Sequence, residues 1–419
     1  MANELTSKLA LPETLEETAI KYGAIKRRRI IKSAGGLLAA LLMYAMHGMS
    51  QRLLAASASA AGMADMSDQA WQKKIVLCGP WLASILKETM VKLPPAKKQF
   101  QEQAVKLIDS SIFIQAGSRG KKGGKPLKLH MCYDLSAGAM DSVLLTDGGA
   151  AEQAARFGIE SGDIVLADAG FGKGKNLAHV VSLGADALFR ATPNHLRLAW
   201  DARGKDRLAM AGILGDAKGG VLDFDCFVHT ENREYHPVRV IASRLPEDKA
   251  LAAKKRKRRN AVRKQAQLKE ETLVFAEWAI LITSIGRSRS AAQLLELYRA
   301  RWQVELLFKR VKQSFKVRKL PPASLEHSSV MVLLWLLLWA LVERRSLAAE
   351  LFMAKKSMDM GRYSPWAMQS FLLFRLKAFA GCFWAGCPEA AVDLSPAFSR
   401  LLNHHSSRRN QYAFFHLGG

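Results

Sequence analysis

Apolar and polar positions alternate differently in successive parts of the chain. Over residues 13–95 the apolar positions recur at helical spacing. They run through Leu37–Met46 and Arg52–Ala61, then again after Ser67-Asp68 and after Gly79-Pro80, which predicts several short helices. Gly48 breaks one of them, and Thr14 with Glu17 has the spacing of a capping box. From residue 103 the period changes to two. Val105–Ala116 predicts a strand carrying Asp109, followed by a Gly/Lys-rich hairpin at Gly117–Lys125. Leu127, Leu129, Met131 and Tyr133 alternate with Lys128, His130, Cys132 and Asp134 in a second strand, and Asp141–Thr146 predicts a third. Then come a helix at Ala150–Phe157, a buried strand at Asp163–Asp168 and the glycine-rich Ala169-Gly-Phe-Gly-Lys-Gly. A helix at Asn176–Leu183 and a strand at Ala187–Ala191 complete the series.

Three strands in a meander followed by alternating helix and strand predict an α/β fold, a mixed sheet flanked by helices. Residues 193–285 interrupt it with strand-like Val221–His229, Tyr235–Ser243 and Thr272–Thr283, a mainly β insertion. Pro321-Pro322 ends the next helix. Val330–Ala354 is strongly apolar and is expected to pack under the sheet. Its longest apolar run, Val330–Val342, falls short of the roughly 20 residues a bilayer span needs. The expected units are 1–98, a helical module; 99–192, the first part of the core; 193–285, the insertion; 286–350, the remainder of the core; and 351–419, a helical C-terminal region.

Composition narrows the partners. The chain has 419 residues, 49% of them hydrophobic, enough for a folded core. A net charge of +25 favours a polyanionic partner, nucleic acid before membrane. The densest cationic run is Lys254-Lys255-Arg256-Lys257-Arg258-Arg259, followed by Arg263 and Lys264. It suits either a solvated helix or a phosphate-facing one, with phosphate the favoured reading. Residues 1–30 carry acids first and no continuous apolar region, so no signal peptide is expected. Five cysteines without a paired CxxC fit free thiols in a reducing cytosol, and Cys382 and Cys387 near His404 and His405 match zinc spacing poorly.

The chemistry concentrates in residues 298–312, a stretch without Gly or Pro that suits a helix. At about 100° per residue, Tyr298, Arg301, Glu305 and Lys312 share one stripe, with Trp302 beside it and Leu297, Val304, Leu307, Phe308 and Val311 on the apolar flank. Glu305 is the only acid between Leu297 and Leu325, among eight Lys or Arg from Tyr298 to Lys319. Upstream, Asp109 lies mid-strand and Asp168 ends a strand, each among apolar residues. A buried carboxylate is costly unless something compensates it, and a metal ion would.

The spacing Tyr298-x2-Arg301-x3-Glu305-x6-Lys312 resembles the Y-R-E-K signature of bacterial insertion-sequence transposases of the DDE type, the insertion-sequence-four group. All four positions match. The resemblance implies an RNase H-like catalytic core, with a helical N-terminal domain that reads the transposon ends. It implies that Asp109, Asp168 and Glu305 together hold Mg²⁺, with Mn²⁺ as a substitute. These ions would support hydrolysis at the ends and strand transfer into target DNA. In that frame Tyr298, Arg301 and Lys312 hold phosphates. Trp278, in Glu277-Trp-Ala-Ile-Leu-Ile-Thr-Ser, corresponds to a tryptophan that stacks on a base flipped from the transposon end; its alternative is a core strand residue. The family often has Gly-Thr after the first Asp, where this chain has Ser110-Ser111, so Asp134 stays open as a rival for Asp109. The expected partner is double-stranded DNA bound by a homodimer in the bacterial cytoplasm. No membrane is expected, nor a nucleotide cofactor, since no G-x-x-x-x-G-K-[ST] loop occurs. A non-catalytic DNA-binding descendant and an RNase H-like nuclease are the other classes the same residues could serve.

Overall fold

Alternating apolar residues build the strands and place the acids. In a computed structural model, which describes residues 13–26, 28–90, 103–113, 126–136, 139–192, 196–231, 234–302, 324–355, 368 and 370–376, nine strands form one sheet. They are β1 Val105–Phe113, β2 Leu127–Asp134, β3 Ala139–Asp147, β4 Ile164–Ala167, β5 Asp186–Arg190, β6 Leu198–Ala199, β7 Val221–His229, β8 Tyr235–Arg244 and β9 Trp278–Thr283. The order is β3-β2-β1-β4-β5-β9-β8-β7-β6. β1, β4 and β5 run parallel; β2 and β3 are the antiparallel meander on one side. This large mixed α/β sheet is consistent with an RNase H-like transposase core.

The two faces of the sheet have different covers. Leu107, Leu129, Leu166, Leu188 and Ile241 belong to one core with the helices. Those helices are α1 Leu15–Lys21, α2 Ala34–His47, α3 Gln51–Ala60, α4 Asp68–Leu77 and α5 Gly79–Thr89, and the long α11 Leu325–Lys355. Ile108, Val165, Phe189 and Val240, one position along each strand, face a second core. That core includes Leu177 of α6 (Gly174–Ser182) and Leu214 of α7 (Met210–Asp216). The side-chain period of two separates the sets.

The apolar helix α11 packs on α2, α4 and α5 and touches β2. Leu325–Val342 is long and apolar enough to cross a membrane by length and composition, yet 78% of it is buried within the protein. Tyr44 of α2 and His327 of α11 are joined by a buried hydrogen bond of 3.0 Å. The described N-terminal helices thus share one core with the sheet. α2 is buried nearly all round, from Ala34 to Met46. Ser33 caps its start, accepting from the Gly36 amide, and Gly48, at φ 58°, ends it in the left-handed region that glycine tolerates.

Several local expectations change. Thr14 does not cap α1 with its side chain; its hydroxyl donates to Glu88 Oε2 at 3.1 Å instead. Ala150–Phe157 is a loop with one 3-10 turn at Ala154–Arg156. Thr272–Phe275 is helical, within α9 Glu270–Phe275, and only Trp278–Thr283 is strand. The strands of 193–285 do not build a sheet of their own. β9 pairs with β5, and β8, β7 and β6 extend the same sheet outward. Apolar runs show that strands exist; which edge they join is settled by pairing partners far away in sequence.

Arg239 of β8 ties this extension to the loop that leads toward the site. Its guanidinium donates to both Asp223 oxygens, at 2.8 and 2.6 Å, and to the carbonyls of Gly286 and Arg289. Hydrogen bonding to Arg239 holds the Asp223 carboxyl below its usual range, and the same bond raises Arg239. A depressed carboxyl contributes stability above its unfolded pKa, near 3.9, and loses it as pH falls through the folded value. Arg239→Met is expected to cost about 2 kcal/mol at pH near 7, because Asp223 is left with only the more exposed Arg287 beside it and the Gly286 and Arg289 carbonyls lose their donor. The difference between variant and wild type should shrink as pH falls from the unfolded carboxyl value, about 3.9, through the lower folded one, a comparison that thermal melts across pH will check.

Candidate active site

Parallel pairing brings together an acid in the middle of β1 and one just past the end of β4. β1 and β4 are parallel with Ile108 beside Ala167, so Asp109 and Asp168 each follow that pair. By alternation Asp109 belongs to the face of Leu107, and Asp168 opens the turn after β4. Asp109 is buried; one of its oxygens accepts from the Ser110 amide at 2.7 Å. Asp168 Oδ1 accepts from the Gly170 amide at 2.9 Å, closing the turn after β4. Asp134 pairs with Lys106, three residues back along β1 from Asp109 and roughly 10 Å away. Asp134, the rival for the first acid, thus stands apart from Asp168 along the sheet.

α10 Ala291–Arg299 delivers the polar residues to this face. Ser290 and Gln293 form a reciprocal capping box that fixes its start, and Leu294 and Leu297 anchor it in the core. The helix ends at Arg299, capped by Ala300, with Arg301 in a turn. The helix expected over 298–312 is interrupted by a turn at Ala300 and Arg301, is helical again at Trp302, and from residue 303 lies outside the described residues. Tyr298 and Arg301 still reach the acids, through the turn. The Tyr298 hydroxyl donates to the Ala167 carbonyl at 3.1 Å, next to Asp168. Burial pushes the Tyr298 phenol up to about 12, so it is a neutral donor at physiological pH. Arg301 is buried; its guanidinium lies 3.7 Å from Asp109 Oδ2 and 5.6 Å from the Tyr298 ring centre. Glu305 and Lys312 lie outside the described residues.

The donor set suits a hard cation. Carboxylate oxygens from two adjacent strands fit Mg²⁺ or Mn²⁺ better than a thiophilic metal. Among the described residues no group of three His, Cys, Asp or Glu is arranged to hold a metal.

The other expected contacts separate. Trp302, next to Arg301, is 48% exposed and offers an aromatic surface at the site. Trp278 is only 3% exposed and belongs to the core on the opposite face of the sheet, with the Arg244 guanidinium over its ring at 5.5 Å. The exposed face that base stacking requires is absent there; Trp278 is a core strand residue. The cationic run forms α8 Glu247–Arg263, which has no buried residue. Lys254 is held by Glu277, whereas Lys255, Arg256, Lys257, Arg258 and Arg259 are exposed. β8 runs parallel to β5, since each is antiparallel to β9. α8 therefore leaves the sheet at the edge where β1, β4 and β5 end, the edge of the acids.

This arrangement can be set beside known proteins. The transposase DDE domain family matches residues 88–341, from α5 to the middle of α11. The chain belongs to that family. Two Escherichia coli relatives agree. "Putative transposase InsL for insertion sequence element IS186A", of strain K12, is 31% identical over 322 residues, covering 74% of this chain and 84% of the relative. "Transposase for insertion sequence element IS421" is 31% identical over 323 residues, with the same coverage. The matched segment of this transposase contains both strand acids, α8 and α10.

Sequence reasoning missed Glu152, which sits in the loop expected to be a helix and meets Ser110 beside Asp109. A lone acid in a stretch without period carries no signal that it will fold against Asp168's turn.

Proposed function

We propose that this transposase moves an insertion sequence by cutting at its inverted-repeat ends and joining them to target DNA, a cut-and-paste reaction. The juxtaposition of Asp109 and Asp168 beside the last parallel pair of β1 and β4, with Arg301 near Asp109 and Tyr298 on Ala167, supports the reading most strongly. Asp109 and Asp168, with Glu305, would hold a pair of divalent ions. When bound, Mg²⁺ would activate water, then the freed 3′-hydroxyl, and stabilise the leaving oxygen. The protein's own groups do the positioning. Arg301 neutralises Asp109 and stands where a scissile phosphate would approach, with planar donors suited to its oxygens. Tyr298 is a neutral hydroxyl braced on the Ala167 carbonyl, and it packs against Arg301. Lys312 would add a further phosphate contact, and Trp302 an aromatic face for an unstacked base. Exposed α8 would track the backbone beyond the cut. The reading places the protein in the cytoplasm, with the DNA, as a homodimer holding two ends.

The test uses the full chain and a labelled fragment carrying one inverted repeat of the element that encodes it. Specific binding without metal, followed by cutting at the repeat boundary only after Mg²⁺ or Mn²⁺ is added, is the expected result. Cutting without regard to the repeat would instead mark a nuclease. Binding with no cutting under any divalent ion would mark a non-catalytic DNA-binding protein.

A further inference from the structure

Behind the two acids, on the other face of the sheet, lies a polar brace. Glu152 Oε1 accepts from Ser110 Oγ at 2.6 Å and lies 3.3 Å from Lys128 Nζ. Ser110 directly follows Asp109. The other carboxylate oxygen presses on the turn that holds Asp168. Glu152 Oε2 fills the space where a β-carbon on Gly170 would stand, and Asp168 Oδ1 lies 3.1 Å from that point. Only glycine leaves room for this approach. One carboxylate thus touches both elements that carry the acids.

The loop that delivers Glu152 is fastened by buried polar groups. Lys128 Nζ donates to the Ala150 carbonyl at 3.0 Å. Asn176 Nδ2 donates to the carbonyls of Glu152 and Phe171, at 3.1 and 2.9 Å, and its Oδ1 accepts from the Ala154 amide. Asn176 is itself buried, so the loop and the turn after Asp168 are sewn together at one side chain. Lys128 is also buried, and Glu152 is the carboxylate beside it.

We infer that Glu152 is a positioning residue for the metal site: it fixes the separation of the β1 and β4 acids and neutralises Lys128, a cation that would otherwise repel a divalent ion. The inference rests on the metal reading of Asp109 and Asp168. Two effects should act together in Glu152→Gln. The amide keeps the volume and can still accept from Ser110, but Lys128 is left uncompensated. Groups that hold metal ligands in place typically contribute about tenfold or more to metal affinity. Lys128→Met combined with Glu152→Gln should remove the unpaired cation; it gives up the Lys128 bond to Ala150, but Asn176 still fastens the loop at Glu152 and Ala154.

The experiment titrates Mn²⁺ into the full-length protein without DNA, following free Mn²⁺ by electron paramagnetic resonance, with melting temperatures recorded in parallel. Glu152→Gln is expected to weaken Mn²⁺ binding by about tenfold, and the double variant to recover most of that loss. Unchanged affinity in Glu152→Gln overturns the inference, as does a double variant that stays as weak as the single one. If Glu152→Gln melts early, the double variant decides: affinity near wild type upholds the inference, and affinity as low as in Asp168→Asn overturns it. Asp168→Asn is the control for the underlying reading. If it binds Mn²⁺ as wild type does, the metal site itself is misplaced, a failure distinct from that of Glu152.

Discussion

Asp168→Asn is expected to reduce cutting at a repeat end by about 1,000-fold, roughly 4 kcal/mol of barrier, while leaving end binding in place. The substitution keeps the side chain's size, and its amide oxygen can still accept the Gly170 N–H that closes the turn at 2.9 Å. What disappears is one negative oxygen beside Asp109, on a face where Arg301 already supplies positive charge. Metal affinity therefore falls, and with it the electrostatic stabilisation that dominates phosphoryl transfer. Asp109→Asn and Glu305→Gln should behave alike. Double variants among the three should cost little beyond the first, since groups acting as a unit are not additive. The measurement pairs a gel shift with single-turnover cutting in Mg²⁺. Wild-type cutting by Asp168→Asn would remove these strand ends from the chemistry. Wild-type cutting by Glu305→Gln alone would leave the two aspartates in place and reassign only the third ligand.

Changing Lys255, Arg256, Lys257 and Arg258 together to Ala is expected to flatten the salt dependence of DNA binding. All four side chains are exposed on α8. Lys254 is left out because it is held by Glu277, which also takes a hydrogen bond from Arg244. Alanine is the strongest helix former, and Glu247 and Asp248 in the first turn still complement the helix dipole, so α8 should persist. Each phosphate that is no longer neutralised lowers the slope of log affinity against log salt by about 0.9. Four such phosphates would take away about 3–4 units of slope, with cutting of already bound DNA unaffected. Binding isotherms across a salt series will measure it. An unchanged slope would mean that α8 projects from the acids' edge of the sheet without meeting DNA.

Much of this was legible in the sequence because it depends on local pattern. Alternation in Leu127–Asp134 makes a strand whatever surrounds it, and the charge of Lys254–Arg259 forces an exposed helix. Asp109 and Asp168, each amid apolar residues, stood out in the sequence as acids whose burial would need compensation, with Asp134 still a rival for the first. The limits are equally physical. A helical wheel assumes one rotation per residue, and it cannot foresee the turn at Ala300–Arg301, where α10, seated by Leu294 and Leu297, gives way beside Asp109. Trp278 has the sequence context of an exposed stacker and of a core residue alike. Its burial followed from the pairing of β9 with β5 and β8, which turned it toward the second core. Asp134 and Asp109 look equivalent along the chain; antiparallel pairing of β1 and β2 moved Asp134 down the sheet from the site. Glu152 became visible only when its loop crossed β1 and met Gly170, because a contact between residues far apart in sequence is set by the free energy of the whole core and leaves no period in the chain.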